Sequence, residues 1–386
     1  MNVPKLRFKE FNDEYIEKKL SEIVQKKGGG TPNTAKITYW QGTIPWISSS
    51  DLSSENILSI NINRYISQEA LKKSATNLIP KNSVLIVTRV GVGKVATNKI
   101  DICTSQDFTN LINFSGNSCY LAYILKRKME KFQKTTQGTS IKGITSKELM
   151  NLDLNIPSLN EQIKVAKFLI LLDKKIELQT KKIEDLKLFK KGLFTNLKFN
   201  NMSLITFKDI LDEVNEKSIV NNQYEILSST AHGLFLQKEY FNKQAASDNN
   251  IGYKILRKNQ LVLSPQNLWM GNININNKYN IGIVSPSYKI FKINENIINI
   301  DYFNNWIKSP RALYEYIISS EQGASIVRRN LNMDLFNEIT LKIPNMQTQK
   351  KIGKQINNIN NLIELENSKL GKLKKLKKGL MQSMFV

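Results

Sequence analysis

The sequence predicts a mixed α+β fold in which two α/β domains alternate with two long helices that pair as an antiparallel coiled coil, giving a pseudo-twofold internal repeat. Three observations predict it. The chain uses one phrase twice: KKGLFTNLKF from Lys190 and KKGLMQSMFV from Lys377. Sliding the sequence by 187 positions aligns residues 156–199 with 343–386 without a gap, and about a third of the pairs are identical. Both copies carry the same heptad seam in the same phase, the pattern of a coiled coil. The expected layout is therefore a first domain at 1–155, a helix at 156–199, a second domain at 200–342 and a second helix at 343–386.

Each part follows from its residues. Strands are expected at Ser83–Thr88, Gln260–Leu263, Ile281–Val284 and Tyr288–Phe291, from β-branched and apolar runs between turn residues. Tyr120 to Phe132 reads as a helix with a basic outer face; its counterpart begins near Asp301, where Pro310 should break or restart it. IPSLNEQ supplies a proline and a polar cap before the first long helix. The first seam runs Val165, Leu169, Leu172, Ile176, Gln179, Ile183, Leu186, Lys190, Leu193, Leu197. The second runs Ile352, Ile356, Ile359, Ile363, Glu366, Leu370, Leu373, Lys377, Leu380, Met384. Polar residues recur at matching seam positions, Gln179 with Glu366 and Lys190 with Lys377. A helix of this length reaches roughly 60 Å. The domains repeat more loosely: WISSS from Trp46 resembles ILSST from Ile226, and QGTSI from Gln137 resembles QGASI from Gln322.

Composition narrows the function classes. A formal charge of +23 favours an acidic partner, either nucleic acid or an anionic membrane surface. The two long helices hold +12 of it, so about +11 remains for the globular domains, enough for several phosphate contacts. Two cysteines give neither a disulfide framework nor metal-ligand spacing, and the single histidine, His232, cannot build a histidine-rich metal site. No stretch of eighteen uninterrupted apolar residues occurs and the N-terminus lacks an apolar signal region, so a soluble, cytoplasmic protein is expected. RVGVGKVATN loosely fits a dinucleotide-binding pattern, but that loop must open a helix, whereas Val95–Ile100 reads as turn and strand. It also fails as a Walker loop, because Val95 follows Lys94.

The layout resembles the specificity subunit of type I restriction–modification enzymes. The resemblance rests on NVPKLRF, on IPSLNEQIKVAKFLILLDKKIE and IPNMQTQKKIGKQI with their KKGL endings, and more loosely on KLSEIVQKKGGGTP and PWISSSDL. The second half has NEKSIVNN where the first has the GGGTP loop. The resemblance implies two target-recognition domains, each reading half of a bipartite DNA target. It also implies that the helices act as spacer and as docking surface for two methyltransferase subunits, with motor–nuclease subunits as further partners. Such a chain is not an enzyme and holds no cofactor: S-adenosylmethionine, ATP and Mg²⁺ belong to partner subunits. No methyltransferase D/N-P-P-aromatic run is present.

Base reading needs bidentate donors and acceptors on loops. The candidates are Ser48, Ser49, Arg89, Lys94, Gln137, Ser140 and Lys142 in the first domain. In the second they are Ser228, Ser229, His232, Gln266, Asn267, Trp269, Asn272, Ser325, Arg328 and Arg329. Two rival readings stay open: a stand-alone DNA-binding or regulatory protein on the same scaffold, and membrane docking through Lys372–Lys378. The membrane reading needs apolar faces beside the lysines, whereas the apolar positions already form a matched seam.

Overall fold

The computed structural model describes residues 3–135, 143–195, 202–240, 249–322 and 329–386. The chain forms two compact units, Met1–Lys181 with Asn367–Val386, and Lys182–Glu366.

In the first unit, Gln25–Gly28, Phe108–Ile112, Val84–Val87 and Val95–Thr97 lie side by side as an antiparallel sheet. A second sheet orders Arg64–Ile66, Ile44–Ile47, Ile102–Thr104 and Leu78–Ile79, with Ile44–Ile47 and Ile102–Thr104 parallel. Residues 84–87 are buried throughout, as their unbroken apolar run requires. Helix α1 (Ser118–Thr135) packs Tyr120, Leu121, Tyr123 and Ile124 into the main core beside Val84 and Ile86. Val95–Thr97 is a strand, so the glycine loop before it opens no helix.

In the second unit, Leu211–Val214, Lys289–Ile293, Leu261–Leu263 and Ile273–Ile275 repeat the strand order of the first unit's antiparallel sheet. A two-stranded ribbon recurs residue for residue. Ile16 faces Ile156 in one unit and Ser203 faces Ile343 in the other, both pairs related by the 187-residue offset.

Two long helices complete the units. The first, α2, spans Leu159–Thr195. The counterpart of α1, α3 (Ile300–Trp306), ends early; Ser309 caps a new helix, Pro310–Ile318, with proline in its first turn. The last helix, α4, spans Met346–Ser383. In the first unit Val165 and Leu169 of α2 share a core with Met381 and Met384, while Asp173 pairs with Lys377, so the helices run antiparallel. In the second unit Lys182 pairs with Glu366 at 3.0 Å, and Leu193 packs on the core that holds Ile352 and Ile356, with the same polarity.

The described apolar seam residues all face inward. Leu169, Leu172, Ile176, Ile183, Ile356 and Ile359 are buried; Leu186, Leu193, Ile363, Leu370, Leu373 and Leu380 are half-buried. Burying a leucine or isoleucine contributes about 1.5–3 kcal/mol, so this row is the main attraction between the helices.

A pair of glutamines ties each long helix to its domain. Gln162 is 4% exposed. Its Oε1 accepts the Asn117 N–H at 3.0 Å and its Nε2 donates to the Pro157 carbonyl at 2.9 Å. Gln349 repeats both bonds, from the Asn299 N–H at 2.8 Å and to the Pro344 carbonyl at 2.9 Å. Asn117 and Asn299 then cap α1 and α3 through their side chains.

Candidate nucleic-acid interface

In the first unit several loops are laced together at the ends of the sheet strands. Glycines at positive φ, Gly91 (+83°) and Gly93 (+99°), turn the Arg89–Lys94 loop back on itself. Lys94 donates its ammonium to the Ser49 carbonyl at 2.8 Å, joining this loop to Ser48–Asp51. The Ser48 hydroxyl donates to Asp51 at 3.0 Å and accepts from Arg64 at 2.7 Å; Arg64 lies over the Trp46 ring and also pairs with Asp51. The Thr88 N–H donates to the Asp107 carbonyl at 2.8 Å, and the Thr31 hydroxyl donates to Gln106 Oε1. Of these residues Thr88, Arg89 and Gln106 line a cleft of about 630 Å³, together with Lys26, Phe108, Thr145 and Ser146, among others.

The sequence candidates thus divide. Arg89 is exposed at this end. Ser48, Ser49 and Lys94 are half-buried and joined to neighbouring loops. Gln137, Ser140 and Lys142 lie outside the described residues, as do Ser325 and Arg328.

In the second unit the hairpin Leu227–Thr230/Gly233–Leu236 presents exposed His232 at its tip, where Gly233 takes φ +139°. Ser228 and Ser229 face inward, 8% and 3% exposed. Ser229 Oγ donates to Asn272 Oδ1 at 2.7 Å and accepts from Asn274 at 2.7 Å, while Asn272 Nδ2 returns a bond to the Ser229 carbonyl at 3.0 Å. Read from sequence as groups facing DNA, Ser228, Ser229 and Asn272 are buried here. The bonds of Ser229 and Asn272 fix the hairpin against strand Ile273–Ile275. The helical turn Pro265–Met270 carries exposed Gln266, half-buried Asn267 and Trp269. The Arg329 guanidinium sits over the Trp269 ring at 4.8 Å, a cation–π contact that preorganises both planar groups. Lys308 donates to the Gly271 carbonyl at 3.2 Å and reaches the Ala231 carbonyl at 3.4 Å, drawing the two loops together.

Sequence reasoning missed Lys26, Thr31, Arg64, Gln106, Asn274 and Lys308. Thr31 lies inside the GGGTP phrase, which marked the loop but not the partner it meets. No group of three or more His, Cys, Asp or Glu side chains could hold a metal ion among the described residues. No helix among them is long and apolar enough to cross a membrane.

Comparison with known proteins gives the arrangement its context. The family model for the type I restriction modification DNA specificity domain matches residues 12–188. The type I restriction enzyme MjaIX specificity subunit of Methanocaldococcus jannaschii is 36% identical over 186 residues, 46% of this chain and 42% of that protein. The EcoR124I/EcoR124II specificity subunit of Escherichia coli is 34% identical over 172 residues, 42% of each chain. The matches thus span about two fifths of the length of these relatives. Likeness of fold extends further. A type I restriction–modification system S subunit from M. genitalium superposes with a TM-score of 0.59 at 16% identity, covering 100% of this chain and 99% of the other. A chain from a type I R-M system solved for its complex assembly and conformational transition gives 0.55 at 12%, over 97% and 98%. By sequence, residues 12–188 are similar to the type I restriction modification DNA specificity domain, and by fold the chain is similar to type I restriction–modification S subunits over nearly its whole length.

Proposed function

We propose that this chain is the non-catalytic specificity subunit that directs a methyltransferase to a bipartite, asymmetric DNA sequence. Residues 1–155 and 200–342 are the two target-recognition domains, and 156–199 and 343–386 are the spacer helices. The observation that carries this reading is the pattern of what repeats. The frame recurs in register, down to the Gln162 and Gln349 bonds, while the loop ends differ between the units. A kept frame with diverged tips suits one scaffold reading two unlike half-sites, about 34 Å apart per helical turn of DNA.

Docking of two copies of a methyltransferase subunit is supported by solvent-facing apolar residues that recur at the same offset. Leu178 and Leu365 are 59% and 52% exposed, and Phe189 and Leu376 are 60% and 53%. Each unit therefore presents one residue from each pair, so that each offers a like patch to one partner. S-adenosylmethionine, ATP and Mg²⁺ then enter with the methyltransferase and motor–nuclease subunits, in the cytoplasm where the DNA is.

Mapping methylated bases genome-wide, with and without this gene, tests the reading. A bipartite motif that disappears on deletion is expected. An unchanged methylome in cells expressing the protein and its methyltransferase would refute it. Truncation at Asn200 should abolish the motif or make it symmetric.

A further inference from the structure

The GGGTP loop of the first unit does work that the repeat does not explain, since the second unit has another sequence there. Its glycines serve close approach rather than unusual φ. A Cβ on Gly29 would stand 2.0 Å from the Ser105 carbonyl oxygen, and one on Gly30 would stand 2.4 Å from the Ala75 carbonyl. Only a chain without side chains lies flush against both segments. Backbone bonds hold it there: the Gly30 N–H donates to the Thr104 carbonyl at 2.8 Å, and its own carbonyl accepts from the Trp46 indole at 2.9 Å. The consequence falls on the next residue. Thr31 is delivered against the turn at Ser105–Asp107, where its hydroxyl occupies Oε1 of Gln106. The carboxamide is thereby oriented, with its Nε2 donors as the remaining strong hydrogen-bonding groups of that side chain.

Gln106 lines the 630 Å³ cleft together with Lys26 and Arg89. Lys26 reaches across it, 3.3 Å from the Ser146 hydroxyl. Among the described residues no carboxylate lines it. The two acids nearest in sequence already accept hydrogen bonds from neighbouring residues, Glu148 from Thr145 of the lining itself. Asp107 accepts from Ser105 Oγ at 3.1 Å, and Glu148 accepts from the Thr145 N–H and hydroxyl at 2.8 and 2.7 Å. Gly28 at the rim has nothing within 4 Å of a built Cβ, so the backbone there is open to close approach. A base edge presents donors and acceptors in mixed order, whereas a phosphate presents acceptors alone. An ammonium, a guanidinium and an oriented amide donor match the second.

We propose that this cleft is a phosphodiester clamp. Lys26, Arg89 and Gln106 Nε2 hold a backbone phosphate of one DNA strand, with Thr31 as the residue that positions Gln106. The clamp rests on the DNA-binding reading above and deepens it: it fixes the duplex against the first unit without reading its sequence. Arg89 is then a phosphate contact rather than a base reader.

The test is the salt dependence of binding by the full chain, measured by fluorescence anisotropy. Two labelled duplexes are used, one of random sequence and one carrying the motif found by methylome mapping. Arg89→Ala and Lys26→Ala are expected to weaken both duplexes by the same factor. Each should flatten the slope of log K against log[salt] by about 0.9, making the loss between about 50 and 200 mM salt about 3.5-fold smaller. Gln106→Glu, nearly isosteric, should also weaken both. All three side chains are exposed, so unfolding is not the expected outcome, and an unchanged Tm checks this. Arg89→Ala changing the preferred base, or all three variants keeping wild-type affinity and slope, would overturn the clamp while leaving DNA binding intact. Wild-type protein that binds neither duplex would overturn the DNA-binding reading and the clamp with it.

Discussion

Replacing Gln162 with alanine removes one side chain and strands two backbone groups. The Asn117 N–H and the Pro157 carbonyl both use the buried carboxamide, and water has no ready access to replace it at 4% exposure. A buried polar group left unpaired costs about 1–3 kcal/mol, so the two together cost roughly 2–6 kcal/mol before any cavity term. Against a typical total of about 5–15 kcal/mol this is a large fraction. Gln349→Ala should cost as much or slightly more, because Gln349 Nε2 also donates to the Ile297 carbonyl at 3.2 Å. Chemical unfolding followed by circular dichroism gives the magnitude. Hydrogen exchange gives the place: Gln162→Ala should expose amides at the start of α1, and Gln349→Ala those at the start of α3. A loss below about 1 kcal/mol for both variants, or exchange that rises equally at both helix starts after either substitution, would rule out this role for the glutamines.

Other perturbations follow from the same kind of accounting. Asp173 is buried between Lys377 and the Tyr123 hydroxyl, which donates to it at 2.7 Å, so Asp173→Ala should cost about 3–5 kcal/mol in denaturant unfolding. Asp173→Leu with Lys377→Met should recover most of that loss. Lys126 is 6% exposed, and burial, with Lys377 nearby, lowers its pKa from 10.5 to about 8, although its ammonium also donates to the Ser54 carbonyl. The unfolded chain therefore binds more protons between pH 8 and 10.5, and wild-type stability relative to Lys126→Met should rise across that window. Equal pH profiles for the two proteins would contradict this. Gly29→Ala should destabilise by about 1–3 kcal/mol or more through overpacking against Ser105, whereas Gly28→Ala, which meets nothing, should fall within about 0.5 kcal/mol of wild type in the same thermal melts.

Legibility in the sequence followed the range of the interaction. The helix seam was readable because period and phase are local, and every described seam position is indeed buried or half-buried. Pro310 was readable as a restart because its missing N–H forbids an interior position. Gln162 and Gln349 were visible as a repeat, but their purpose depends on Asn117 and Asn299, about 50 residues away. The same limit hid the Tyr123–Asp173 bond. The ILSST phrase misled for a related reason: recurrence marks constraint, and burial of Ser229 in a hydrogen-bonded hairpin constrains as firmly as a ligand would. Side chains that reach over strand ends, such as Lys26 and Gln106, leave no periodic trace at all.

The charges in and beside the seam do more than tolerate their surroundings. Asp173 and Lys182 follow one another as acid then base along α2, and Glu366 and Lys377 follow as acid then base along α4. Antiparallel pairing sets Asp173 against Lys377 and Lys182 against Glu366. A parallel pairing of the same helices would set acid against acid and base against base. Because Asp173 and Glu366 are only 3% exposed in their side chains, each would then be a buried charge without a counterion, at about 3–5 kcal/mol apiece. Leucines and isoleucines at every turn favour association but discriminate poorly between directions. These two ion pairs favour the antiparallel direction, and the chain departs from its own repeat to make them. Asp173 has Asn360 as its copy, and Glu366 has Gln179, so in each pair of copies one helix keeps the acid and the other carries an amide. Within each unit the two helix segments are therefore matched in apolar pattern and complementary in charge.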